Sequence, residues 1–193
     1  MATFTTTDRS FTPIEYGYLA VMGAQNIANG AVNNFNHPDY KGSSAAIEVN
    51  LRPLSAYFQY IALGVACYLF YAVNNLHAKE DVQKEIIRGI KEGFLHLKFD
   101  GKEVSLDFAP NLTRDIDAYI AALIEDYHHL PENRAEGSEI CALAALHLEK
   151  FQKLYPFITK DDLIPLEVES ANLATGLLAH IQNDLKLRYS QDF

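Results

Sequence analysis

Two cysteines in 193 residues, at positions 67 and 141, are too few and too isolated to build a disulfide framework. Both fall within apolar helical patterns, where a thiol acts as a small hydrophobe. The chain also lacks a Cys-x-x-Cys pair, a His-Glu-x-x-His helix, a Gly-x-Ser-x-Gly elbow and a Gly-rich phosphate loop. These absences remove the usual signatures of thiol redox enzymes, zinc proteases, serine hydrolases and nucleotide-binding domains, and no cofactor follows from any motif. Residues 1–11 are polar and Thr-rich, without the basic start and apolar stretch of a secretory leader, so a reducing cytoplasm is the expected compartment. No cluster of basic residues occurs anywhere, which argues against binding DNA or RNA.

Charge is missing where it matters most. From Pro53 to Leu76 there is no ionisable Asp, Glu, Lys or Arg, and six of these residues are Tyr or Phe. By length the run could span a bilayer, which takes about 20 apolar residues. Its composition points elsewhere: Gln59 lies inside it, Asn74 and Asn75 close it, and Tyr60 and Tyr68 sit away from the ends where an interfacial belt would collect them. At helical spacing, Leu54, Phe58, Ile61, Val65, Leu69, Ala72 and Leu76 form one stripe. Tyr57, Tyr60, Gly64, Tyr68, Tyr71 and Asn75 form a second. A helix apolar on every side must be covered on every side, and phenol hydroxyls call for protein partners. The expectation is a buried central helix over about 51–77, with no membrane span. The stripe Tyr57, Tyr60, Tyr68 and Tyr71 is the candidate lining for an apolar ligand.

What is present is an apolar composition of 49%, enough for a sizeable core, and a net charge of −9. That charge is uneven. Residues 1–78 hold three basic and four acidic side chains, residues 79–110 six and seven, and residues 111–193 seven and fourteen. The acidic excess therefore belongs to the last third of the chain, where it would attract a basic protein partner and repel nucleic acid and anionic lipid.

Thr12-Pro13-Ile14-Glu15 reads as a capping box opening a first helix to about Val32. Its side of Gly17, Ala20, Ala24, Ala28 and Ala31 would let another helix approach closely, while Asn26, Asn29 and Asn33 lie on a partly exposed side. A polar loop follows over Asn34–Ser44, then a short extended piece at Ala46–Val49, with Asn50 as N-cap of the central helix. Asp81 is expected to cap a third helix with buried face Val82, Ile86, Ile90 and Phe94, and Gly93 to stop it. The hydrophobic period then changes to two. Leu95, Leu97 and Phe99 alternate with polar residues, as do Val104, Leu106 and Phe108, around Asp100-Gly101. The expected hairpin, about 94–108, pairs Phe99 with Lys102, Lys98 with Glu103, Leu97 with Val104 and Leu95 with Leu106. Further helices are read from Thr113, from Ser138, and from about Leu166 to Arg188, with a capping box at Thr159–Asp162. No internal repeat is evident, and residues 1–193 are expected to form a single domain.

Candidate chemistry rests on histidines. Glu125 and His128 have the Glu-x-x-His spacing of di-iron bundles, but in one copy only, and the helical pattern turns both outward. His147 sits in mid-face of an apolar helix. His180, one turn before Asp184, could join His147 and His128 or Glu125 in a divalent metal site.

The pattern as a whole predicts a mainly α, single-domain helical bundle around the central helix, carrying one β-hairpin whose free edges could recruit a second copy as a homodimer. The preferred function is a non-enzymatic cytoplasmic protein-binding module, an acidic inhibitor or immunity-type factor. The alternatives are a metal-dependent helical enzyme and a binder of a small apolar ligand.

Overall fold

The computed structural model describes residues 1–35, 53–99, 102–103 and 172–191. It is mainly helical with a small antiparallel sheet and a hairpin, the class read from the sequence. Strand β1 (Ala2–Thr5) and strand β2 (Ser10–Phe11) lead into helix α1 (Pro13–Phe35). Helix α2 (Pro53–Phe70) ends in a π-helical turn at Tyr71–Asn75, and α3 (Glu80–Phe94) runs into the hairpin strands β3 (Lys98–Phe99) and β4 (Lys102–Glu103). Helix α4 covers residues 172–179 and also closes in a π-helical turn, at His180–Asp184, before strand β5 (Arg188–Gln191).

The capping box forms as expected. The Thr12 backbone N–H donates to Glu15 Oε2 at 2.8 Å, and the Glu15 N–H donates back to Thr12 Oγ1 at 3.3 Å, so two orphan donors of the first turn are satisfied. The Thr12 N–H, and after it the Thr12 hydroxyl donating to the same oxygen at 3.0 Å, hold the Glu15 carboxyl below its ordinary pKa.

The small-residue side of α1 does what its spacing implies. A Cβ added at Gly17 would collide with the carbonyl oxygen of Ile86, and one added at Gly89 with the carbonyl oxygen of Ile14. Thus α1 and α3 cross backbone against backbone at a reciprocal pair of glycines. Further along α1, Val21 closes on Gly93, whose Cβ would lie 2.7 Å from the valine's own. Ala24 meets Gly64 of α2 at 2.6 Å on the same measure. Helix α1 therefore packs against both α2 and α3.

The second half of α2 and the start of its π turn are covered on all sides: every residue from Leu63 to Ala72 is buried. No described helix is long and apolar enough to cross a membrane. On α3, Val82, Ile86, Ile90 and Phe94 are each at most 2% exposed, which is the face read from the sequence.

Several boundaries differ from the reading. Asp81 lies inside the first turn of α3; the N-cap is Lys79, with no side-chain capping bond. Gly93 does not stop the helix, because its missing side chain is needed against Val21. Leu95 is not a strand residue: it is helical in conformation, caps α3 and is 67% exposed. From Lys98 the hairpin follows the expected register, Lys98 opposite Glu103 and Phe99 opposite Lys102. The Lys98 N–H donates to Gln25 Oε1 at 3.0 Å, which ties the hairpin to α1. Helix α1 continues through Asn34 to Phe35, past the expected start of the loop. The rest of that loop, Ala46–Val49, Asn50, Val104–Phe108, the helices expected from Thr113 and Ser138, the box at Thr159–Asp162 and Cys141 lie outside the described residues.

The two chain ends form an unexpected sheet of order β2-β1-β5. Phe4 pairs with Phe11 on one side and with Tyr189 on the other, and Ala2 pairs with Gln191. The last helix thus stops well short of Arg188, which is already in a strand. Its ending repeats that of α2. Leu76 and Leu185 donate their N–H groups to the carbonyls of Tyr71 and His180, at 3.1 and 3.0 Å. Ala78 and Leu187 then donate to Ala72 and Ile181, at 2.9 and 3.2 Å. Between them His77 and Lys186 take left-handed φ values of 54° and 48°, and the following residue plugs into the core. This closure is one residue wider than the usual glycine-terminated cap.

The glycine crossing yields a paired prediction. Gly17→Ala or Gly89→Ala should destabilise the fold by about 2–3 kcal/mol despite alanine's better helix propensity, since rigid backbone has to move. Gly30→Ala, which adds a Cβ with nothing within 4 Å, should instead stabilise by roughly 0.5–1 kcal/mol. Urea denaturation of the three variants checks the opposite signs.

Candidate functional site

A cluster of aromatic rings lies between the sheet, α1 and α2. Phe4, fully buried, stacks on Tyr16 with ring centroids 4.3 Å apart and planes 12° from parallel, and its other neighbour is Tyr189 at 5.1 Å. Tyr16 meets Tyr68 edge-on at 6.0 Å and donates its hydroxyl to the Tyr68 backbone carbonyl at 2.9 Å. That carbonyl lies just before α2 widens into its π turn. Tyr68 in turn covers Gly23 of α1, its hydroxyl 3.0 Å from where a Cβ would be. Tyr189 donates its hydroxyl to Gln191 Oε1 at 2.8 Å.

Local sequence explains the placement. In β1, Phe4 alternates with Thr3 and Thr5, so the phenyl ring takes the inner face of the strand. In β5, Tyr189 alternates with Arg188 and Ser190 in the same way. Tyr16 lies beside Gly17, where α1 runs closest to its neighbour.

The electrostatics describe neutral groups. Burial raises the Tyr16 hydroxyl well above the ordinary phenol range, with Tyr68 and Tyr71 adding to the effect. The Tyr68 and Tyr71 hydroxyls are raised for the same first reason. For Tyr189, burial raises the value first and the Asp81 carboxylate adds to it. Burial pushes the Cys67 thiol up to about 12, so at neutral pH it is protonated and a poor nucleophile. The cluster can donate hydrogen bonds and fill volume; none of its members is poised as a base.

Of the residues singled out in the stripe, Tyr68 and Tyr71 are buried, and Tyr68 is committed to Tyr16 and Gly23. Tyr57 and Tyr60 lie on α2, but their side chains are not among those described. His180 is exposed and bonded through Nδ1 to Asp184 Oδ2 at 2.8 Å, one turn further on. Among the described residues no three His, Cys, Asp or Glu side chains gather into a metal-holding group. His147, His128 and Glu125 lie outside those residues. Missing from the sequence reading were Phe4, Tyr16 and Tyr189. The signal for two of them was present as short alternation at the chain ends; Tyr16 had none beyond its place next to Gly17.

Compared with protein-family models, with curated proteins and with solved structures, the chain matches none.

Two outcomes test this account of the cluster. Tyr16→Phe should cost about 1 kcal/mol, the net worth of one buried hydrogen bond, with ring packing retained. Stability should also fall in alkali. A buried acid whose folded pKa is raised contributes its full stability below the unfolded pKa and loses it as pH rises. For Cys67 that window opens at roughly pH 8.5–9 and closes at about 12, with the tyrosines joining above about pH 10. Cys67→Ala should flatten the decline between about pH 9 and 11 by up to roughly 1.4 kcal/mol per pH unit. Denaturation midpoints measured across that range, with thiol reactivity confined to unfolded protein, check it.

Proposed function

We propose that this chain is a non-enzymatic, cytoplasmic protein-binding module whose acidic surface engages a basic protein, as an inhibitor or immunity-type factor would. The observation that carries the reading is the distribution of charge: residues 111–193 hold fourteen acidic and seven basic side chains, while the first 78 residues are nearly balanced. A field of one sign concentrated in one part of a chain steers association with the opposite sign and penalises wrong partners. Support also comes from the described core, where α1, α2 and α3 pack through glycine and alanine and the buried phenols and thiol are held neutral. That part of the molecule serves as scaffold. The cytoplasmic assignment rests on the two isolated cysteines, of which Cys67 is free and buried.

Immobilised protein should capture a basic polypeptide from native lysate at about 50 mM salt and release it by about 500 mM, where the screening length falls below roughly 5 Å. Reversing charge at Glu132, Glu136 and Glu139 to lysine should abolish capture without changing thermal stability by more than a few degrees. Capture indifferent to salt and to these reversals, or no capture at all, would sink the proposal.

A further inference from the structure

We infer that β5 is an exchangeable strand, and that a second copy of this chain can accept it in place of its own. The second half of the acceptor strand is held without β5. Strand β1 is held on its other side by β2, through the Phe4–Phe11 and Thr5–Ser10 pairs and a turn in which the Thr6 N–H donates to the Arg9 carbonyl at 2.8 Å. Its key side chain, Phe4, is anchored on Tyr16 of α1. When β5 leaves, Phe4 and Thr5 stay paired with β2 and offer a formed edge onto which Ala2 and Thr3 can re-pair.

The donor is close to the end of the described chain and carries its own complementarity. Ala2–Gln191, Thr3–Ser190, Phe4–Tyr189 and Thr5–Arg188 pair in register, with Tyr189 as the anchoring ring. A second copy offers the same edge and the same ring, so exchange needs no surface that does not already exist.

The hinge is Leu185–Leu187. Lys186 sits there at φ 48°, a conformation that disfavours any residue with a Cβ. Opening the hinge into extended backbone relieves that strain. It also releases the bond from the Leu187 N–H to the Ile181 carbonyl and the one from the Thr7 N–H to the Leu185 carbonyl, both 3.2 Å and therefore long. The β5 pairs lost on opening are regained in the second copy, so relief at Lys186 is set against two long hydrogen bonds and the core seat of Leu187, and protein concentration selects between the closed chain and the strand-exchanged dimer. Short strained hinges are known to favour this route.

The test mixes two variants of the full chain, Ala2→Cys and Gln191→Cys, at high concentration and then oxidises them. A disulfide joining the two different chains is expected, in an amount that rises with concentration before oxidation. Lys186→Gly, which removes the strain from the closed form, should lower its yield about fivefold. Lys186→Pro cannot take positive φ and disfavours the helical backbone of Leu185, so it should be mainly dimeric by light scattering. Mixed-chain disulfide no more abundant than the products of either variant alone overturns the proposal, as does a folded Lys186→Pro protein that remains monomeric. Should circular dichroism show the proline variant unfolded, the mixed-chain result decides by itself.

Discussion

Two peptide carbonyls, those of Ile86 and Ile14, occupy the space that side chains at Gly17 and Gly89 would need. The close crossing of α1 and α3 depends on that pair, and much of the described structure depends on the crossing. It sets the depth at which α1 lies, which brings Val21 onto Gly93 and Ala24 onto Gly64. It leaves Tyr16, next to Gly17, facing inward against Phe4 with its hydroxyl on α2. A helix crossing built on backbone has little room to adjust, since neither partner can change rotamer to relieve a misfit.

The aromatic cluster follows from that constraint. Where α1 and α2 are joined through small residues, space is left beside them. The rings of Phe4, Tyr16, Tyr68 and Tyr189 fill it, and one hydrogen bond to a helix carbonyl satisfies the most deeply buried hydroxyl. The sheet is the lid of this cluster. Its central strand comes from one end of the chain and a flanking strand from the other, so both ends are tied to the same core.

Much of this was legible in the sequence because it is local. The capping box at Thr12 and Glu15, the α3 face of Val82, Ile86, Ile90 and Phe94, and the Lys98–Glu103 register each follow from chemistry within a few residues. The smooth side of α1 was legible too, as a face fit for close approach. Errors arose where local preference lost to packing. Gly93 looked like a helix stop but is a contact residue, and Asp81 looked like a cap but lies two residues past it. Leu95 fitted a strand pattern, yet the last turn of α3 takes it, because Phe94 before it must stay buried. The three-stranded sheet was missed since strands of two to four residues carry too little periodicity to read, and their pairing joins residues nearly 190 positions apart. For the candidate sites, helical spacing placed His180 beside Asp184 and Tyr68 and Tyr71 in the interior, but no spacing names the groups that face them.

The amino-acid order by itself determined the helical class, the buried character of Leu63–Ala72, the hairpin register and the concentration of acidic charge in the last 83 residues. Each is a property of side-chain type and short-range spacing. Tertiary structure alone decided which helix meets which glycine, that Tyr16 bonds to the Tyr68 carbonyl, and that the chain ends share a sheet. Those outcomes depend on groups far apart in sequence competing for the same buried volume and the same unpaired backbone, and only the assembled core ranks the competitors.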